Sequence, residues 1–200
     1  MPDRSLTKVM YCGSVLVVLY HQRKDRRMIV PKTIYALPNQ DKREVEHLLQ
    51  RINTTHVSHV YHDGTPQSVD CARQAVLLLG SSTHCLSFPG LLDEDVYEDY
   101  FSNRELYLKE TRNVKNMTVN DAIAQSHVLA TARPVITQAL LGVADRLPVA
   151  GSAIIFAKPY YMELATPGSN QEVLVGLEGV LGVEYHVMWN KVFAAKRIIA

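Results

Sequence analysis

Two hundred residues, 47% of them hydrophobic and 20% charged, are enough for one domain of ordinary size and too apolar for a disordered chain. The 21 basic residues against 20 acidic ones leave a formal net charge of +1, so charge gives no reason to expect nucleic acid or an anionic membrane surface as a partner. No apolar run approaches the roughly 18 residues of a bilayer span. The one basic cluster, Arg23-Lys24-Asp25-Arg26-Arg27, reads first as a solvated turn and second as an anion or partner contact. Cys12, Cys71 and Cys85 fit neither a zinc knuckle nor a small disulfide scaffold, which casts them as buried apolar fillers in a reduced, intracellular compartment, whether mitochondrial, cytosolic or nuclear. The sequons at Asn53 and Asn116 are read as chance matches, because Met1-Pro2-Asp3-Arg4 lacks the build of a signal peptide.

Residues 14–19 are apolar and β-branched, follow Gly13 and run into a charged turn, which predicts the first strand of a parallel sheet, buried on both faces. Val45, Leu48, Leu49 and Ile52 have the three-to-four spacing of an amphipathic helix over 41–51, with Asp41 as its cap and Glu44 three positions on. A second strand over 56–61 leads through Asp63-Gly64-Thr65-Pro66 into a helix from Pro66 or Gln67 to Leu79, ended by Gly80. Strand, helix, strand, helix implies a mostly parallel central sheet flanked by helices, a single three-layer α/β domain over 1–200.

An acidic and aromatic surface insertion is expected at about 88–110, where Glu94 and its acidic neighbours alternate with Tyr97, Tyr100 and Phe101. A long helical stretch over 119–147 places Val128, Val135, Leu140 and Val143 inward, with Pro134 kinking or dividing it. A short apolar strand at 153–157, a helix start at 159–165 and strands and turns over 173–187 complete the chain.

Three strand exits carry the polar residues. The first reads Tyr20-His21-Gln22; the second reads Tyr61-His62-Asp63-Gly64-Thr65-Pro66, followed by Cys71-Ala72-Arg73-Gln74-Ala75; the third reads Ile154-Ile155-Phe156-Ala157-Lys158-Pro159. In this order they resemble the histidine phosphatase, or phosphoglycerate mutase-like, superfamily over about 15–187. That resemblance implies a phosphoglycerate mutase-like fold with the chemistry removed. The family's arginine-histidine-glycine nucleophile motif corresponds to Tyr20-His21-Gln22, its phosphate-binding helix arginine falls on Cys71, and its second strand-exit histidine falls on Lys158. Its general acid, a glutamate in an insertion, corresponds to Glu94 or Glu98.

Phosphoryl transfer to an imidazole needs a neutral nucleophile and positive charge around the equatorial oxygens. His21 supplies only the first. If each lost arginine clamp costs about 3 kcal/mol in the transition state, two slow turnover more than ~10,000-fold. The expectation is therefore a pseudoenzyme in which Tyr20, His21, Cys71, Glu94 and Lys158 are vestigial, with no cofactor and no metal.

Each sharp reading has a plainer neighbour. His21 is equally a polar residue at a strand end, and His56, His59 and His62 are surface or structural histidines before they are metal ligands, because a strand does not put all three on one side. Asp70 beside Cys71 raises the thiol pKa and argues against a cysteine nucleophile. The expected function is a structural or scaffolding subunit of a larger assembly or homo-oligomer, docked through the insertion (Tyr97, Tyr100, Phe101) and the apolar tail around Phe193. The alternatives are a residual phosphatase with a rearranged pocket using His21, and a non-catalytic phospho-ligand module with a weak anion site at His21, Arg23 and Lys158.

Overall fold

The protein is described by a computed structural model over residues 6–12, 15–20, 28–39, 41, 43–80, 82–88, 127–158, 165 and 180–199; the side chains of 6–29, 127–129 and 180 are not described. The described residues form nine strands and three helices in two sheets. The smaller sheet holds β1 (Leu6–Cys12), β2 (Val15–Tyr20) and β3 (Met28–Ile29), all antiparallel.

The larger, six-stranded sheet is mixed. It is built from β4 (Lys32–Pro38), β5 (Val57–His62), β6 (His84–Ser87), β7 (Ser152–Ala157), β8 (Val180–Met188) and β9 (Lys191–Ile199), in the order β6-β5-β7-β4-β8-β9. The pairs from β6 across to β4 are parallel, and β4–β8 and β8–β9 are antiparallel. β4 and β5 are consecutive parallel strands, yet β7 lies between them. The tail around Phe193 is thus the edge strand β9 of the chain's own sheet.

Helices cover both faces. The helices α1 (Val45–Leu49) and α2 (Pro66–Leu79) pack on Tyr35, Leu37, Val60, Ile154 and Phe156. On the other face α3 (His127–Arg146) lays Ala132, Ile136, Leu140 and Val143 on Ile34, Ile155 and Tyr185. Every residue of β7 is buried, as a central strand with helices on both sides requires. No helix among the described residues is long and apolar enough to cross a membrane.

Several expectations change. The run at 14–19 is β2, and it pairs antiparallel with β1 and β3; the first parallel strand is β4. Cys12 pairs with Val15 across Gly13-Ser14, a two-residue connection of hairpin composition, and a short apolar run does not itself distinguish the two kinds of sheet. Asp41 does not cap α1: its carboxylate accepts from the Arg43 N–H at 3.0 Å, and the helix starts later, behind Glu44, which makes no side-chain cap. Val135 is exposed, because the inward stripe of α3 runs through Ala132, Ile136 and Val143 and leaves it one position off. Pro134 faces solvent and α3 stays one helix across it. Cys71 is buried but Cys85, on the edge strand β6, is exposed. The insertion at 89–110 and the segment 159–164 lie outside the described residues.

Candidate functional site at the strand exits

In an open α/β sheet, ligands bind beyond the carboxyl ends of the parallel strands. Here the exits of β4, β5 and β7 carry Asn39, Asp63 and Lys158, and the last two are tied together by the Asp63 carboxylate, which belongs to a residue 2% exposed. Its Oδ1 accepts from the Thr65 N–H at 3.0 Å and the Thr65 hydroxyl at 2.7 Å, and closely from the Ser68 hydroxyl. Its Oδ2 accepts the backbone N–H of Lys158 at 3.1 Å. The Asp63 N–H in turn donates to the Phe156 carbonyl at 3.2 Å. The side chain of Asn39 reaches in from β4, donating through Nδ2 to the Thr65 hydroxyl oxygen at 3.2 Å.

Local sequence explains the arrangement. Gly64 takes a φ of +89°, a backbone state cheap only for glycine, so the chain reverses between Asp63 and the helix. Thr65 is the N-cap of α2, accepting from Ser68 N, and Pro66 follows where a missing N–H costs nothing. The first turn of α2 contains no acidic residue, so Asp63 provides the negative charge that its dipole favours.

The site is therefore an anion cradle already holding an anion. Two hydroxyls and two backbone N–H groups from two strand exits converge on one carboxylate. A phosphate brought there meets the like charge of Asp63 in a poorly solvated place, where repulsion is far less screened than in water. The arrangement suits holding strand ends together better than it suits taking a substrate.

Of the residues singled out in the sequence, Lys158 stands at this junction through its backbone. Cys71 faces the apolar cluster of Val60, Ile154 and Phe156 beneath α2 rather than the strand exits. His62 is half-buried, with Nδ1 accepting from the Gly64 N–H at 3.2 Å. His59 lies against Ser58 Oγ (2.8 Å) and the His84 ring (5.4 Å between centroids); burial, and then the charges of His84 and Arg146, push its pKa down. Phe193 is half-buried, its ring 6.1 Å from that of His186 in the same chain. Tyr20 ends β2, its side chain outside the description; His21, Arg23, Glu94, Glu98, Tyr97, Tyr100 and Phe101 lie outside the described residues.

Sequence reading located the Asp63-Gly64-Thr65-Pro66 turn but missed the burial of Asp63. The signal was present in Asp-x-Thr, an Asx-turn pattern, directly before Pro66 and a serine three positions past the cap. In comparisons with protein-family models, curated proteins and solved structures, nothing matches the chain.

Proposed function

We propose that the chain is a catalytically inactive domain of the histidine phosphatase, phosphoglycerate mutase-like kind, serving as a structural or scaffolding subunit of a larger protein assembly. The observation that carries this reading is the Asp63 carboxylate, seated among the donors at the strand exits where a phosphoryl group would need them. The resemblance requires the strand of the second histidine to lie beside the strands of the nucleophile and of the serine-proline turn. β7 lies beside β5, the strand of that turn, which supports it in part; the strand of Tyr20-His21-Gln22 is β2, in the smaller antiparallel sheet, and the strand on the other side of β7 is β4. In that arrangement the first parallel strand is β4, and it ends in Leu37-Pro38-Asn39, with no imidazole to accept a phosphoryl group.

The reading is tested by hydrolysis of a generic aryl phosphate by purified wild type and His21→Ala. Equal background in both is expected; turnover that disappears in His21→Ala overturns the inactive reading. Its second half is tested by the size of the native chain on gentle separation of cell extract. A species several times the mass of the chain is expected, and a monodisperse monomer sinks the scaffold.

A further inference from the structure

On the α1–α2 face of the main sheet, away from the strand exits, lies a cleft of about 490 Å³, within the roughly 300–1,000 Å³ usual for small-molecule sites. Tyr35 and Glu184, paired across β4 and β8, form its deep part: Tyr35 is 4% exposed and the Glu184 side chain 15%. Its rim carries Lys196, 59% exposed, and the exposed Arg51, and Gln50 and Asn53 complete the polar lining. A carboxylate thus lies deep and two cations lie shallow.

Glu184 is poorly served by the described residues. Its nearest cation among the described residues, Lys196 Nζ, is 3.9 Å from Oε2, the long limit of an ion pair. On the other side Oε1 is 3.2 Å from Nε2 of His186, but neither nitrogen of that 2%-exposed ring has a hydrogen-bond partner among the described residues. Burial pushes the Glu184 pKa up, with Lys196 opposing, and holds His186 down near 4, so the ring is neutral and brings no positive charge. The Tyr35 hydroxyl, pushed up by burial and then by Glu184, stays protonated and is a donor on the same floor. A largely buried carboxylate without close charged donors is costly unless paired.

We propose that this cleft binds a small zwitterion of the amino-acid class, its ammonium group on the Glu184 carboxylate and its carboxylate on Arg51 and Lys196 at the rim. A plain anion is turned away by Glu184, and a plain amine is opposed by the two rim cations; a molecule with both charges satisfies the gradient. The site shares no residue with the strand-exit junction and does not rest on the scaffold reading.

The test is calorimetric titration of the full chain with glycine, L-leucine and L-glutamate, with methylamine and acetate as single-charge probes. At least one amino acid is expected to bind with a Kd below about 10 mM, and each single-charge probe about tenfold or more weaker. Binding falls about tenfold or more in Glu184→Gln and in Arg51→Ala, and stays within about twofold in Gly142→Ala, whose added methyl meets nothing. Arg51 is a surface residue, so its variant reports even where Glu184→Gln folds poorly. Absence of binding by all three amino acids at about 10 mM overturns the proposal, as does binding unchanged in Arg51→Ala or matched by acetate.

Discussion

The Oδ2 of Asp63 accepts the backbone N–H of Lys158 across 95 residues of chain, at 3.1 Å, so the exits of β5 and β7 are joined by a side chain as well as by their ladder. Removing that carboxylate takes an acceptor from the Lys158 and Thr65 N–H groups and leaves the Ser68 hydroxyl with the Thr65 carbonyl, at 2.9 Å. We expect Asp63→Ala to lose about 3 kcal/mol of stability or more, and Asp63→Asn about half that, because one amide oxygen can still serve Thr65 and Ser68 while the NH₂ group opposes Lys158 N–H. Urea unfolding of the two variants checks the order; equal stability of Asp63→Ala and wild type would remove Asp63 as the tie.

Burial lowers the pKa of His186 to about 4, with Lys196 acting in the same direction. The unfolded state therefore binds more protons than the folded one between about pH 4 and 6.5, and stability is lost as pH falls through that window, by up to about 3 kcal/mol. Glu184 acts oppositely: its folded-state pKa is raised, so the stability it contributes is present at low pH and lost as pH rises through that value. In His186→Leu the acid-side loss should shrink, leaving the weaker Glu184 trend. Unfolding free energies at about pH 7, 5.5 and 4.5 separate the two; an unchanged pH slope in His186→Leu contradicts the assignment.

A methyl group on Gly182 would sit 2.5 Å from the Ala36 carbonyl oxygen, where β8 crosses close to β4. That obstacle is backbone in the sheet centre, and it cannot rotate away. Gly182→Ala is expected to destabilise by about 1–3 kcal/mol, whereas Gly142→Ala, inside α3 with open space around it, gains up to about 1 kcal/mol from helix propensity. Thermal melts of the pair decide it, and a neutral Gly182→Ala would mean that the two strands can separate there.

Two described thiols differ in access. Cys85 is exposed on β6 while Cys71 is buried beneath α2. Burial of the sulfur raises the Cys85 pKa above its ordinary 9.0, with Arg73 opposing, so alkylation of the folded protein should be slow at neutral pH and quicken above pH 9. Peptide mapping after brief alkylation should find Cys85 modified and Cys71 untouched until denaturant is added. Equal labelling of the two would contradict the burial of Cys71.

What the chain declares about its fold is uneven for physical reasons. α2 is legible at both ends because Thr65-Pro66 and Gly80 act locally, and β7 because a continuous apolar run suits a strand covered on both faces. Pairing partners are not local, so the sequence of β2 suits a parallel strand as well as the antiparallel ladder it forms with β1. The same limit hid the polar clusters. Glu184 and His186 alternate with Val183, Tyr185 and Val187, an ordinary pattern for a half-solvated strand, yet the alternate face is covered too, and His186 is 2% exposed. Asp63 has the local sequence of a turn residue, and its burial depends on Lys158, far along the chain.

Thr33 of β4 pairs with Ser152 on one side and His186 on the other, so the central strand has no sequence neighbour beside it. During synthesis at about 5–20 residues per second, β4 leaves the ribosome with both edges bare and waits roughly ten seconds for the first of its partners. Loop closure over such separations is paid before any ladder forms, which makes this a slow-folding topology. The bare apolar edge is then a target for chaperones and for other nascent copies, and yield in the cell should follow their supply more closely than the equilibrium stability of the finished domain.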